Sequence, residues 1–217
     1  MLKSARSCIL VVEMDGTIIN LIPGTTILDE VTAEKDLGVT ITSDLKASQQ
    51  CTHAYSKANI ILGVINRSII YKSKDILIQL YKSLVRPHLE FCTAAWSLRY
   101  VKDKELLEKV QRRFTRMIPG LKDVLVLYSE RRQTLGLWSL EERRICSDLI
   151  EVYNMINKLS NVNFDNFFEF VPNKSTRGHS LKLRKKRFNT ELRQHFFTDR
   201  IINLWNSLDE KLYHLYN

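Results

Sequence analysis

Two-metal phosphoryl transfer needs carboxylates that converge on cations ~3.5–4 Å apart, and the aspartates of this chain show no such grouping. They fall at Asp15, Asp29, Asp36, Asp44, Asp75, Asp103, Asp123, Asp148, Asp165, Asp199 and Asp209, with no adjacent pair and no Asp-x-Asp. The histidines, His53, His88, His179, His195 and His214, are scattered, and an isolated histidine is more often a hydrogen-bonded structural residue than a ligand or base. Cys8, Cys51, Cys92 and Cys146 lack C-x₂-C spacing, which speaks against structural zinc and against a disulfide framework. Free thiols in a reducing compartment are the plainer reading. Neither a phosphate-binding G-x-x-x-x-G-K-[ST] loop nor a G-x-S-x-G nucleophile elbow occurs. What remains is electrostatic chemistry.

Lys and Arg number 33 against 24 Asp and Glu, a formal net charge of +9. Such an excess favours a polyanionic partner. It is concentrated in two stretches. The first holds Lys102, Lys104, Lys109, Arg112, Arg113 and Arg116; the second holds Arg177, Lys182, Arg184, Lys185, Lys186 and Arg187. A cation beside a phosphate releases counterions, so binding through these residues is salt-sensitive and weakly sequence-selective. A solvated helix face accounts for the first stretch equally well. In the second, five bases in the seven residues from Lys182 to Phe188 favour phosphate contact. A helical protein-interaction module, its basic surface serving solubility alone, is the alternative from another functional class.

The positioning elements follow from periodicity. Residues 1–42 alternate short β-branched runs with Asp15-Gly16 and Pro23-Gly24, which predicts three or four short strands. Leu37, Val39 and Ile41 carry the two-residue period of a half-buried strand. Ser43 is the expected N-cap of a helix running to about Asn66, and Ser73 of another with its stripe at Ile76, Leu77, Leu80, Leu84 and Val85. Pro87 should break or kink that second helix. Leu89, Phe91, Cys92, Ala95 and Trp96 read as a mostly buried continuation.

A helix over 103–118 buries Leu106, Leu107, Val110, Phe114, Met117 and Ile118 and turns its cations outward. Trp96 and Phe114 are expected on helices packed against one another. Ser139 and Glu142 form a capping box for a helix to about Leu159, with its stripe at Leu140, Ile145, Cys146, Leu149, Ile150, Tyr153 and Ile156. Phe164, Phe167, Phe168 and Phe170 predict one turn packed by its own rings. A last helix runs from about Gln194 to Leu208, with Phe196, Phe197, Ile201, Leu204 and Trp205 inward. The fold class is α+β, mostly α: a small antiparallel β element over 1–42, a helical domain over 43–160 and a basic helical extension over 161–217. No signal peptide or membrane-length apolar run is visible, so an intracellular, non-membrane protein is expected.

Several phrases together carry a family likeness: EKDLGVTI (34–41), KAN…LG (57–63), LYKSLVRPHLEFCTAAW (80–96), LEKVQRRFTRMIPGL (107–121), LGLWSLEERRICSDLIEVY (135–153), TRGH (176–179) and FFTDRIINLWNSL (196–208). The chain resembles the region beyond the catalytic palm of a jockey-like non-LTR retrotransposon reverse transcriptase. That resemblance implies a thumb-like helical bundle gripping RNA or an RNA–DNA template–primer without sequence preference. It also implies that the family's magnesium-binding acid set, including its aromatic-x-Asp-Asp motif, lies upstream of these residues. The chain by itself is then a fragment with no catalytic residue, no metal ligand and no cofactor of its own.

Overall fold

A computed structural model of the chain describes residues 2–4, 29–122, 125–172, 180–187 and 191–209. The strands expected within residues 5–28, with their Asp-Gly and Pro-Gly turns, lie outside the described residues. Two antiparallel pairs lead the chain: β1 (Leu2–Ser4) with β2 (Asp29–Val31), and β3 (Ala33–Asp36) with β4 (Val39–Thr42). The rest is helical: α1 (Ser48–Ser68), α2 (Lys74–Leu80), a π-helical turn (Tyr81–Val85), α3 (Arg86–Glu90), α4 (Val101–Met117), α5 (Tyr128–Thr134), α6 (Leu140–Ile156), a 3₁₀ turn (Phe164–Asn166), α7 (Glu191–Gln194) and α8 (Phe197–Asn206). The mostly helical α+β class expected from the sequence is what is found. No helix among the described residues is long and apolar enough to cross a membrane. Two compact units emerge, one of residues 1–91 and 98–131, the other of 92–97 and 132–217. Helices α4 and α6, both within the expected 43–160 domain, therefore belong to different units.

The β3–β4 hairpin turns at Leu37 and Gly38, with φ of 44° and 87°. Positive φ at both central residues is the turn whose twist matches the flanking strands. It also breaks the expected Leu37, Val39 and Ile41 face, of which Val39 alone is buried. Leu37 sits at the tip, 85% exposed, while Val39, Thr40 and Thr42 are buried. A side chain at Gly38 would meet Phe91 Cε1 at 3.3 Å, so glycine serves the close approach as well as the backbone.

Ser43 does not cap α1, which begins five residues later. Instead the Thr42 hydroxyl donates to Asp44 Oδ1 (2.6 Å), and the Lys46 N–H donates to the same oxygen (3.1 Å). These bonds hold a turn ahead of the helix, in which Leu45 has φ 53°. Local side-chain bonds of this kind compete with helix initiation. Ser73 caps α2 as expected, accepting from the Ile76 N–H.

Pro87 does not end the helix. The chain stays helical to Glu90, and the disturbance appears as the π turn just before the proline, where the Arg86 N–H reaches back to the Tyr81 carbonyl. A widened turn relieves the clash of the proline ring with the preceding turn and leaves its missing donor without consequence. It also resets the buried stripe to Leu77, Tyr81, Val85 and Leu89, in place of Ile76, Leu80 and Leu84. A strict four-residue repeat outruns the 3.6-residue α-helical period, and the π turn takes up the difference. Of the expected buried continuation, Leu89 and Trp96 are buried. Phe91, Cys92 and Ala95 are exposed in a turn, and Cys92 has φ 55°.

In the first unit α1 packs on α3, the π turn and α4, around Leu62, Tyr81, Leu107 and Phe114. Phe114 stacks on Tyr81 with centroids 4.2 Å apart. Trp96, expected on a helix beside it, lies in the turn region of the second unit, buried under Arg144 at 3.9 Å. The second unit is built on Val152, Met155, Phe168, Leu183, Ile201, Ile202 and Trp205.

The capping box of α6 is present in full, but its inward face is rotated from the expected stripe. Arg144 and Asp148 are buried there with Leu140, Val152 and Met155, while Ile150 is 54% exposed. Asp148 holds Arg200 by two bonds of 2.8 and 2.9 Å. A paired charge takes a core position that apolar counting assigns to its neighbours. The last helix is interrupted between α7 and α8, and Ile202 replaces Leu204 on the buried face.

The Thr42 hydroxyl, and after it the Lys46 side chain, hold the Asp44 carboxyl down from an ordinary 3.8 to about 2. Its contribution to stability is therefore present above 3.8 and lost as pH falls through about 2. An NMR titration should place the Asp44 midpoint near 2, and Thr42→Val should move it upward towards the ordinary value.

Candidate nucleic-acid interface

Helix α4 sorts its residues by face. Asp103, Leu107, Val110, Gln111, Phe114 and Thr115 are buried, whereas Lys109, Arg112, Arg113 and Arg116 are all exposed. The inward half includes three polar residues that hydrophobic periodicity does not reveal, and each is satisfied. Asp103 accepts from the Ser48 hydroxyl of α1 at 2.7 Å. Gln111 accepts from the Tyr81 hydroxyl (2.7 Å) and donates to Tyr128 Oη (3.0 Å), which in turn donates to Glu108. Thr115 accepts from Arg131 Nε at 3.1 Å. Burial pushes the Tyr81 phenol well above its usual range, with the neighbouring Tyr128 and Glu108 adding to the shift. The hydroxyl is thus a permanent donor to Gln111.

The four cations are brought together on one helix and are only lightly engaged. The guanidinium of Arg112 lies 5.3 Å from the Tyr128 ring centre, and Arg113 donates to Asn59 Oδ1 at 3.1 Å. None of the four forms an ion pair with a described residue. Behind them Arg131 is buried, donating to Thr115 and to the Val126 carbonyl (2.6 Å), also with no acid partner among the described residues. Burial, and the nearby Arg116 charge, draw its pKa down from the ordinary value, but a guanidinium stays charged. Its charge adds to the field of the exposed four.

The second expected group is distributed differently. Arg177 lies outside the described residues. Residues 181–187 lie in the second unit, held at Leu183 by an isolated antiparallel bridge to Phe170 and pinned there on both edges. On one edge the Val171 N–H donates to Lys182 O (2.9 Å) and the Arg184 N–H to Glu169 O (2.7 Å). On the other, the Asn206 amide takes the Leu183 N–H and gives to the Leu183 carbonyl, at 2.8 and 2.9 Å. Leu183 is buried, and Arg184, Lys185, Lys186 and Arg187 are exposed. One carboxylate counters part of their charge, and a neutral amide accepts from one more cation. Glu169 sits 2.7 Å from Lys186 and 3.4 Å from Arg184, and Lys185 donates to Asn203 at 3.1 Å. Lys186, and after it Arg184, lower the Glu169 pKa. In sequence Glu169 stands thirteen residues ahead of Lys182 and looks unrelated to the run.

A third basic concavity was not legible. Lys35, His53, Lys57 and His88 line a half-open cleft of about 510 Å³ with Ile60 and Phe91. His53 Nδ1 lies 3.0 Å from the Thr40 hydroxyl, and Gln50 Oε1 accepts from the Thr40 N–H at 2.9 Å. The i, i+4 spacing of His53 and Lys57 was its one sequence signal.

Asp103, Asp148 and Asp199 are committed to Ser48, Arg200 and Arg193 respectively. Among the described residues no group of three His, Cys, Asp or Glu side chains could hold a metal ion. No family model, curated protein or solved structure matches the chain.

Gln111→Met should leave the Tyr81 hydroxyl buried without its acceptor and cost about 1–3 kcal/mol in urea unfolding. Adding Tyr81→Phe should recover part of that loss, because it removes the stranded donor. An unchanged unfolding midpoint in the single variant would mean that the network does not hold α4.

Proposed function

We propose that the chain binds nucleic acid through the phosphate backbone, as the region beyond the palm of a non-LTR retrotransposon reverse transcriptase, with RNA or an RNA–DNA template–primer as ligand. The observation that carries this reading is the outward face of α4: Lys109, Arg112, Arg113 and Arg116 exposed, without acid partners among the described residues, and backed by the buried charge of Arg131. Protein surfaces ordinarily intersperse charges of both signs. Cations gathered on one helix face without an ion pair among the described residues suit a ligand that brings its own negative charge. The phrase LEKVQRRFTRMIPGL (107–121), part of the resemblance to the retrotransposon enzymes, begins within the same helix.

Contacts of this kind set position and affinity and carry no base readout. On this reading the chain grips, and its buried aspartates among the described residues serve structural partners. The competing reading, a helical interaction module, gives these cations no such task.

The test is fluorescence anisotropy with a labelled RNA–DNA hybrid at two salt concentrations. Wild type should bind with an affinity that falls steeply as salt rises. Arg112→Ala with Arg116→Ala should weaken hybrids of different sequence alike and lower the salt slope by about 1 for each phosphate contact removed. Equal affinity and equal slope for both proteins would favour the interaction module.

A further inference from the structure

The half-open cleft lies between the β3–β4 hairpin, α1 and the end of α3, all in the first unit. Lys35 pairs with Thr40 across the hairpin, and residues paired in an antiparallel ladder carry their side chains on one face. Thr40 Oγ1 lies 3.0 Å from His53 Nδ1, so that face is turned to α1. Gln50, His53, Lys57 and Ile60 follow at three- and four-residue steps, which puts them on the helix face that borders the cleft. Glu34 and Asp36 flank Lys35 in β3, where alternation sends their side chains to the other face. Among the described residues no Asp or Glu lines the cleft. Neither Lys35 nor Lys57 forms an ion pair with a described residue.

Gln50 separates this cleft from an ordinary basic surface. It is only 6% exposed, and its Oε1 accepts from the Thr40 N–H at 2.9 Å. Its amide nitrogen carries two donors and has no hydrogen-bond partner among the described residues. That nitrogen is not sealed off, and because Gln50 lines the cleft, it opens there. Buried polar groups ordinarily have their partners; this one keeps its donors for a ligand. Ile60 and Phe91, 66% and 52% exposed, give the same cleft apolar surface.

We propose that the cleft binds a small phosphomonoester: the phosphate accepts from Gln50 Nε2 and pairs with Lys35 and Lys57, and the organic part lies along Ile60 and Phe91. A phosphomonoester is close to a dianion at neutral pH, which matches two lysines, whereas each phosphate of a nucleic-acid backbone carries a single charge. A bare anion would leave most of the 510 Å³ to water, and that volume falls within the ~300–1,000 Å³ of small-molecule sites. None of the lining residues lies on α4, so the site is separate from the surface proposed above for nucleic acid and does not depend on that reading.

The experiment titrates the isotope-labelled full chain with adenosine monophosphate, adenosine and inorganic phosphate, following the Gln50 side-chain amide by NMR. Adenosine monophosphate should shift the Gln50 signals and bind roughly tenfold more tightly than either of the other two probes. Lys35 and Lys57 are both exposed, so Lys35→Gln with Lys57→Gln should keep the fold, and it should reduce the affinity for adenosine monophosphate to that for adenosine. Adenosine monophosphate binding no more tightly than adenosine would overturn the phosphate contact, and binding no more tightly than inorganic phosphate would overturn the apolar one; either result sinks the proposal. So would an affinity that survives loss of both lysines, or Gln50 signals that stay in place while the Nε–Hε signals of Arg112 and Arg116 move.

Discussion

The fold of the first unit depends on satisfying one buried hydroxyl. Tyr81 is fully buried, and its Oη has a partner only because Gln111 of α4 lies 2.7 Å away. An unsatisfied buried hydroxyl costs about 1–3 kcal/mol, so the bond sets how α4 is rotated about its own axis. Tyr128 and Glu108 extend the chain of bonds, and Tyr81 stacks on Phe114 one turn further along the same face. With Gln111, Phe114 and Thr115 turned inward, the helical period leaves Lys109, Arg112, Arg113 and Arg116 outward. The cationic face is the geometric complement of the polar network beneath it.

The two basic stretches look alike in sequence and differ in how their charge is met. On α4 the cations have hydrogen-bonding and aromatic neighbours but no carboxylate among the described residues, and Arg131 adds a further buried charge. On the 181–187 ribbon Glu169 engages two of the four exposed cations and Asn203 a third. Density of charge along the chain favoured the second stretch, whereas ion pairing among the described residues leaves the first without a carboxylate contact.

Helices α1, α2, α4 and α6, the Ser73 cap, the Ser139–Glu142 box and the apolar part of the α4 face were legible, because each rests on local spacing; α5 was not. What sequence could not reveal rests on partners far along the chain. Asp148 and Arg144 occupy core positions of α6 because Arg200 and the Trp96 ring neutralise or cover them, and apolar counting therefore chose Ile145 and Ile150. The buried stripe at Leu77, Tyr81, Val85 and Leu89 needs the π turn before Pro87, and a 3.6-residue template misplaces it. Leu37 fits an alternating strand until the turn at Gly38 is known. Glu169 counters Arg184 and Lys186 only because a bridge at Phe170 and Leu183 brings the two segments together.

The central claim is that α4 presents its cations to phosphate while the network behind it stays intact. Arginine side-chain Nε–Hε NMR signals report this residue by residue. On titration with an RNA–DNA hybrid, the signals of Arg112, Arg113 and Arg116 should shift progressively. Those of Arg131, bonded to Thr115, and Arg200, bonded to Asp148, should stay in place. Signals of α4 that remain unmoved while the hybrid binds, or movement confined to Arg131 and Arg200, would contradict the account.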